Sequence, residues 1–184
     1  MTGRRVQIVI LCEDSQHEVF GRRFLKQAGW ENSDFRVVKS PEGKGCASQW
    51  VRKKFPEELS AYRQRKNRAA SCLIAVIDAD NLSVHERIRE LEQECMDQGM
   101  VCRSNDDCVA FVIPKRNIAS WVHHLLGEEV NESDVYRELE RESLCQPAVA
   151  QLANICNNRD TGTLLPSLKD ACQEYNERIR ILKS

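Results

Sequence analysis

Residues 5–14 read RVQIVILCED. The run is apolar and rich in β-branched side chains, lacks the three-to-four-residue spacing of an amphipathic helix, and stops at Glu13 and Asp14, which predicts a buried strand over 5–12. Residues 71–78, SCLIAVID, repeat the pattern and predict a second strand over 71–77, closed by Asp78. Weaker runs at 35–39 (FRVVK) and 108–113 (CVAFVI) add two more strands, with 100–103 a short strand candidate. Helical patterns fill the gaps at 16–29, 46–66 and 82–99, the last with Asp80, Asn81 and Ser83 as cap candidates. Alternation of this kind calls for an α/β fold with a mostly parallel sheet of about four strands flanked by helices. Beyond Pro114 the patterns at 117–126, 132–142, 146–156 and 166–182 predict a helical C-terminal third.

The 184 residues suit one domain, with a core over 5–115 and a helical extension over 116–184. Hydrophobic residues at 41% and charged residues at 30% exclude global disorder. Lys and Arg number 27 against 28 Asp and Glu, a net charge of −1, so a freestanding DNA wrapper with an overall basic field is disfavoured. Nine cysteines without a C-x-x-C pair make neither a zinc ribbon nor a disulfide framework. Cys12, Cys72 and Cys108 fall in apolar runs and read as small buried hydrophobes, the expected compartment being a reducing cytoplasm. No apolar run is long enough for a membrane span, and the N-terminal one is too short for a signal peptide.

The chemistry lies in where the acids fall. Strands of a parallel sheet share one carboxyl edge, and ligands bind in the crevice outside it. Glu13 closes the first strong strand while Asp78 and Asp80 close the second as IDADN, so three carboxylates are expected to converge there. In an extended segment alternate residues point the same way, so Asp78 and Asp80 can address one cation together. Hard oxygen ligands favour Mg²⁺ or Mn²⁺. The competing reading is that each acid caps the helix after its strand, as Asp80 could for the helix from 82.

An apolar strand ending in Glu, then one ending in Asp-x-Asp, in an alternating α/β chain, resembles the Toprim domain of topoisomerases, primases and OLD-type nucleases. More narrowly, ILCEDSQHEVFGRRFL, AVIDADN, FVIPKRNIASWV and LLPSLKDACQEY resemble small Toprim proteins related to the OLD nucleases. The resemblance implies that Glu13, Asp78 and Asp80 are catalytic metal ligands. It also implies a further acid four or five residues after the first Glu, where this chain has His17 and then Glu18. Glu18 is the expected ligand, since a helix starting near Ser15 can return it towards Glu13, with His17 filling the role differently or facing solvent. By the same resemblance Lys169 is a candidate catalytic lysine, and Ala119 stands where relatives often carry Glu.

Lys115 and Arg116 follow the fourth strand and are placed to neutralise a scissile phosphate or its transition state, or to lie in a solvated loop. SPEGKG carries Lys44 before a helix, either as a phosphate cradle or as a plain turn; it lacks a P-loop layout. Arg52 and Lys53 on the second helix could follow a phosphate backbone, or form a soluble outer face. The function implied is a Mg²⁺- or Mn²⁺-dependent Toprim nuclease acting on nucleic acid, DNA above all. It is expected as the effector of an anti-phage defence complex with an ABC/SMC-type ATPase. The alternative is a catalytically inactive Toprim-fold regulatory or scaffold subunit, which Ala119 and His17 favour. A phosphoacceptor receiver also places acids after strands, but leaves the Asp78/Asp80 pair and the helical tail unexplained.

Overall fold

A computed structural model describes residues 6–43 and 45–183; Lys44 lies outside the described residues. Four strands, β1 (Gln7–Cys12), β2 (Phe35–Lys39), β3 (Ser71–Val76) and β4 (Val109–Val112), form one parallel sheet in the order β2-β1-β3-β4. Helices α1 (Ser15–Gln27), α2 (Ala47–Lys66) and α3 (Val84–Asp97) are the crossovers. After β4 come α4 (Ile118–Leu125), α5 (Gln146–Asn158) and α6 (Pro166–Glu174), the last running on through a π-helical turn over Tyr175–Ile179.

Side-chain alternation along the central strands divides the core in two. Val9, Leu11, Leu73 and Ala75 pack against Val51, Phe55 and Leu59 of α2 and Leu91 of α3. Ile8, Ile10, Cys72 and Ile74 face the other way, onto Leu25, Trp30, Tyr175 and Ile179. Because β1 and β3 are covered on both faces, their composition is apolar throughout and their existence is readable from sequence. The C-terminal helices close a further cluster against α1, in which Phe20 meets Trp121, Val149 and Leu168.

Two expected elements are absent. Segment 132–142 is not helical until a short 3₁₀ turn at Glu142–Cys145. Asn131 Oδ1 accepts from the backbone N–H groups of Ser133 and Asp134, both at 2.8 Å, so a side chain captures donors that a helix would need. Residues 100–103 form no strand, because the carbonyls of Val101 and Cys102 are taken by the Arg63 guanidinium, each at 2.7 Å. Cys156 and Cys172 form a disulfide between α5 and α6, a single cross-link rather than a framework. Cys12 and Cys72 are free and buried, Cys108 half-buried. Among the described residues no helix is long and apolar enough to cross a membrane.

Candidate metal centre

Parallel pairing of Cys12 with Val76 delivers the ends of β1 and β3 side by side. Glu13 turns its carboxylate across that gap, and Oε1 accepts the backbone N–H of Asp78 at 2.6 Å. Asp14 then caps α1, its Oδ1 accepting from His17 N at 2.9 Å. This starts the helix at once, and within one turn it swings His17 back over the strand ends. The imidazole is almost wholly buried, with Nε2 3.0 Å from Asp78 Oδ1. One ligand atom from each of Glu13, His17 and Asp78 can be chosen so that all lie within 4.8 Å of one another.

Taking these groups out of water is expensive unless the charge is answered. Burial pushes the Glu13 carboxyl up to about 7, against the pull of His17 and with Asp78 and Asp80 adding to the rise. Asp78 is raised by burial too, opposed by His17. Burial pulls the His17 imidazolium down, but Asp78, Asp14 and Glu13 outweigh it and hold the ring at about 9. Nδ1 of His17 is buried with no hydrogen-bond partner. The cleft beside Glu13, of about 360 Å³, brings further negative charge from Asp14, Glu42, Glu138 and Glu142. Two clustered carboxylates and an imidazole, in acidic surroundings, are a donor set for a divalent cation.

No family model, curated protein or solved structure matches the chain.

The other sequence candidates are distributed as follows. Asp80 does not continue the extended segment. It adopts φ +56°, and its half-exposed carboxylate sits 3.0 Å from Nη2 of the buried Arg87, leaving it outside the group formed by Glu13, His17 and Asp78. Arg87 also donates to the carbonyls of Asp78 and Ala79 and pairs with Glu90, so one guanidinium shapes the whole turn after β3. Glu18 lies one position further round α1 than His17 and pairs instead with Lys39 at 3.1 Å and Arg22 at 3.4 Å. Lys115 donates to Leu82 O, and Arg116 to Asp80 O and Asn81 Oδ1, so both brace the turn that carries Asp80. Lys169 is exposed on α6 and is not part of the group formed by Glu13, His17 and Asp78. Arg52 pairs with Glu90 at 3.2 Å, and Lys53 is exposed on α2. Ala119 is fully buried in α4.

Sequence reasoning ranked His17 below Glu18 and overlooked Arg87 and Lys39. For His17 a signal existed: it occupies the buried stripe of α1 with Phe20 and Leu25, whereas Glu18 falls off it. Arg87 carries no such mark, being one of several charged residues in the helical pattern over 82–99.

Proposed function

We propose that this chain is a divalent-cation-dependent nuclease that cleaves nucleic acid by phosphoryl transfer at the carboxyl edge of its sheet. The observation that carries the reading is the meeting of the half-buried Glu13 and Asp78 with the buried His17 at that edge, with both carboxyls raised and Nδ1 of His17 unpartnered. A cation held there would supply a Lewis acid for a phosphoryl oxygen and lower the pKa of bound water. Glu13 and Asp78 provide hard oxygens and His17 a nitrogen, a mixture that suits Mn²⁺ better than Mg²⁺. Asp14 and Arg87 act at one remove, as the cap and the brace that aim the two loops. The resemblance to OLD-type Toprim proteins supplies the rest: action as effector of an anti-phage complex beside an ABC/SMC-type ATPase. A net charge of −1 fits a subunit that depends on a larger partner.

The test is cleavage of plasmid and oligonucleotide substrates in Mn²⁺, beside calorimetric Mn²⁺ titration. Glu13→Gln and Asp78→Ala should each lower cleavage at least about 100-fold, the upper end of what even outer-shell partners of a metal cost. Undiminished cleavage in Asp78→Ala would overturn the reading. The hold of Arg87 on Asp80 favours a second reading, a scaffold that kept the fold and lost the chemistry. That chain would take up no Mn²⁺ in the calorimeter.

A further inference from the structure

The acid-walled cleft beside Glu13 suits a cation and repels phosphate, so a nucleic acid reaching that edge must be held by cations elsewhere. The basic residues of α2 are largely matched by acids: Arg52 by Glu90, Lys54 by Glu57, and Arg63 and Lys66 by Asp107. The outer face of α1 differs. There Arg22, Arg23 and Lys26 line a groove of about 370 Å³ that also takes in Gln27, Asn32 and Gln146. Arg22 has one long contact with Glu18 at 3.4 Å, Arg23 donates to the neutral Gln146 at 2.6 Å, and Lys26 is exposed with no ion pair among the described residues. Glu18 opens this groove and takes Lys39, which lines the Glu13 cleft, so the two depressions adjoin.

The geometry points to the α1 groove as the seat of a nucleic-acid phosphate backbone, with Arg22 and Lys26 as its principal cations. From Glu18 to Gln27 the helix rises about 14 Å, the length of about four phosphates along one strand. The amides of Gln27, Asn32 and Gln146 add donors of the kind that position sugar and phosphate without reading sequence. The inference rests on the nuclease reading for the direction of the strand, but binding itself needs no metal.

Anisotropy of a fluorescein-labelled DNA oligonucleotide, single-stranded and duplex, in EDTA at low salt therefore tests it apart from cleavage. The unaltered chain should bind. Arg22→Glu/Lys26→Glu should weaken binding at least about tenfold and reduce the slope of log K against log salt by about two. Arg22→Gln/Lys26→Gln, milder for the fold, should show a smaller loss in the same direction. The rival surface, Arg52→Glu/Lys53→Glu, should change affinity less than about threefold. No binding by the unaltered chain, full affinity in both α1 variants, or a greater loss in the α2 variant would overturn the groove. Equal competition by a polyglutamate peptide would also do so, since the occupant would then be an acidic protein. Normal binding with no Mn²⁺ uptake and no cleavage sinks the nuclease reading and leaves the groove standing.

Discussion

Asp78 and Asp107 are both shielded aspartates beside strands of one sheet, and the protein treats them in opposite ways. Asp107, just before β4, accepts from Arg63 at 2.9 Å, Lys66 at 2.8 Å and the backbone N–H of Ser104 at 3.0 Å. Burial pushes its carboxyl up, but Lys66, Ser104 and Arg63 together hold it well below the ordinary range. At the opposite edge, Asp78 has His17 on its carboxylate and Glu13 and Asp80 near it, and there burial prevails. The protein completes one acid with its own cations and leaves the other short of them. On the proposed reading, it is the second acid that an outside cation would complete.

The contrast breaks most visibly at Asp107. Replacing it with Ala leaves the Ser104 amide unpaired and takes the shared acid from Arg63, which keeps the Val101 and Cys102 carbonyls, and from the solvent-facing Lys66, a loss expected at about 2–3 kcal/mol. Urea unfolding should show the midpoint fall with the slope unchanged. A loss below about 1 kcal/mol, the range of a surface ion pair, would mean that solvent already screens the triad.

The pH dependence should separate the two edges next. Asp107 has a folded pKa below its unfolded value of 3.8, so its contribution is present above that value and fades as pH falls. Glu13 rises from 4.5 to about 7 and His17 from 6.5 to about 9, so the metal-free fold binds more protons than the unfolded chain between these limits. Stability contributed by His17 is whole below pH 6.5 and disappears through 9, while ionising Glu13 costs stability from 4.5 upward. The two losses add, so the metal-free protein should lose several kcal/mol between pH 5 and 9. Mn²⁺ should flatten the curve, because its ligands are bound deprotonated. A metal-free stability that climbs over this interval would contradict the buried cluster.

The two edges were not equally legible in the sequence. Strands β1 and β3 announce themselves because burial on both faces forces a continuous apolar run, and the acids that end them mark the sheet edge. That Glu13 and Asp78 meet follows from parallel pairing. The extended backbone expected through Asp80 gives way to a left-handed φ beside Arg87, seven residues downstream, and no periodicity reports a guanidinium that reaches back. Asp107 passed unnoticed for a related reason: its partners Arg63 and Lys66 sit 44 and 41 residues away on α2, where they read as a soluble face. Segment 132–142 misled by its charged, helix-forming composition, since Asn131 holds the local donors. Apolar patterns are local consequences of burial, whereas polar partnerships depend on a tertiary approach that only the folded chain makes.

The finest test replaces Asp78 with Asn. The amide oxygen can still accept from His17 Nε2, and the bond from residue 78 N–H to Glu13 does not involve the side chain. Deleting one negative charge also removes a neighbour that raises Glu13. Metal-free stability should therefore move by less than about 1 kcal/mol, and its decline with pH should become shallower. Mn²⁺ should no longer raise Tm, since stabilisation by a ligand requires preferential binding to the folded state. If Asp78→Asn instead cost as much as Asp107→Ala, Asp78 would be a structural ion pair with His17. The two acids would then be the same device at opposite edges, with no cation wanted at either.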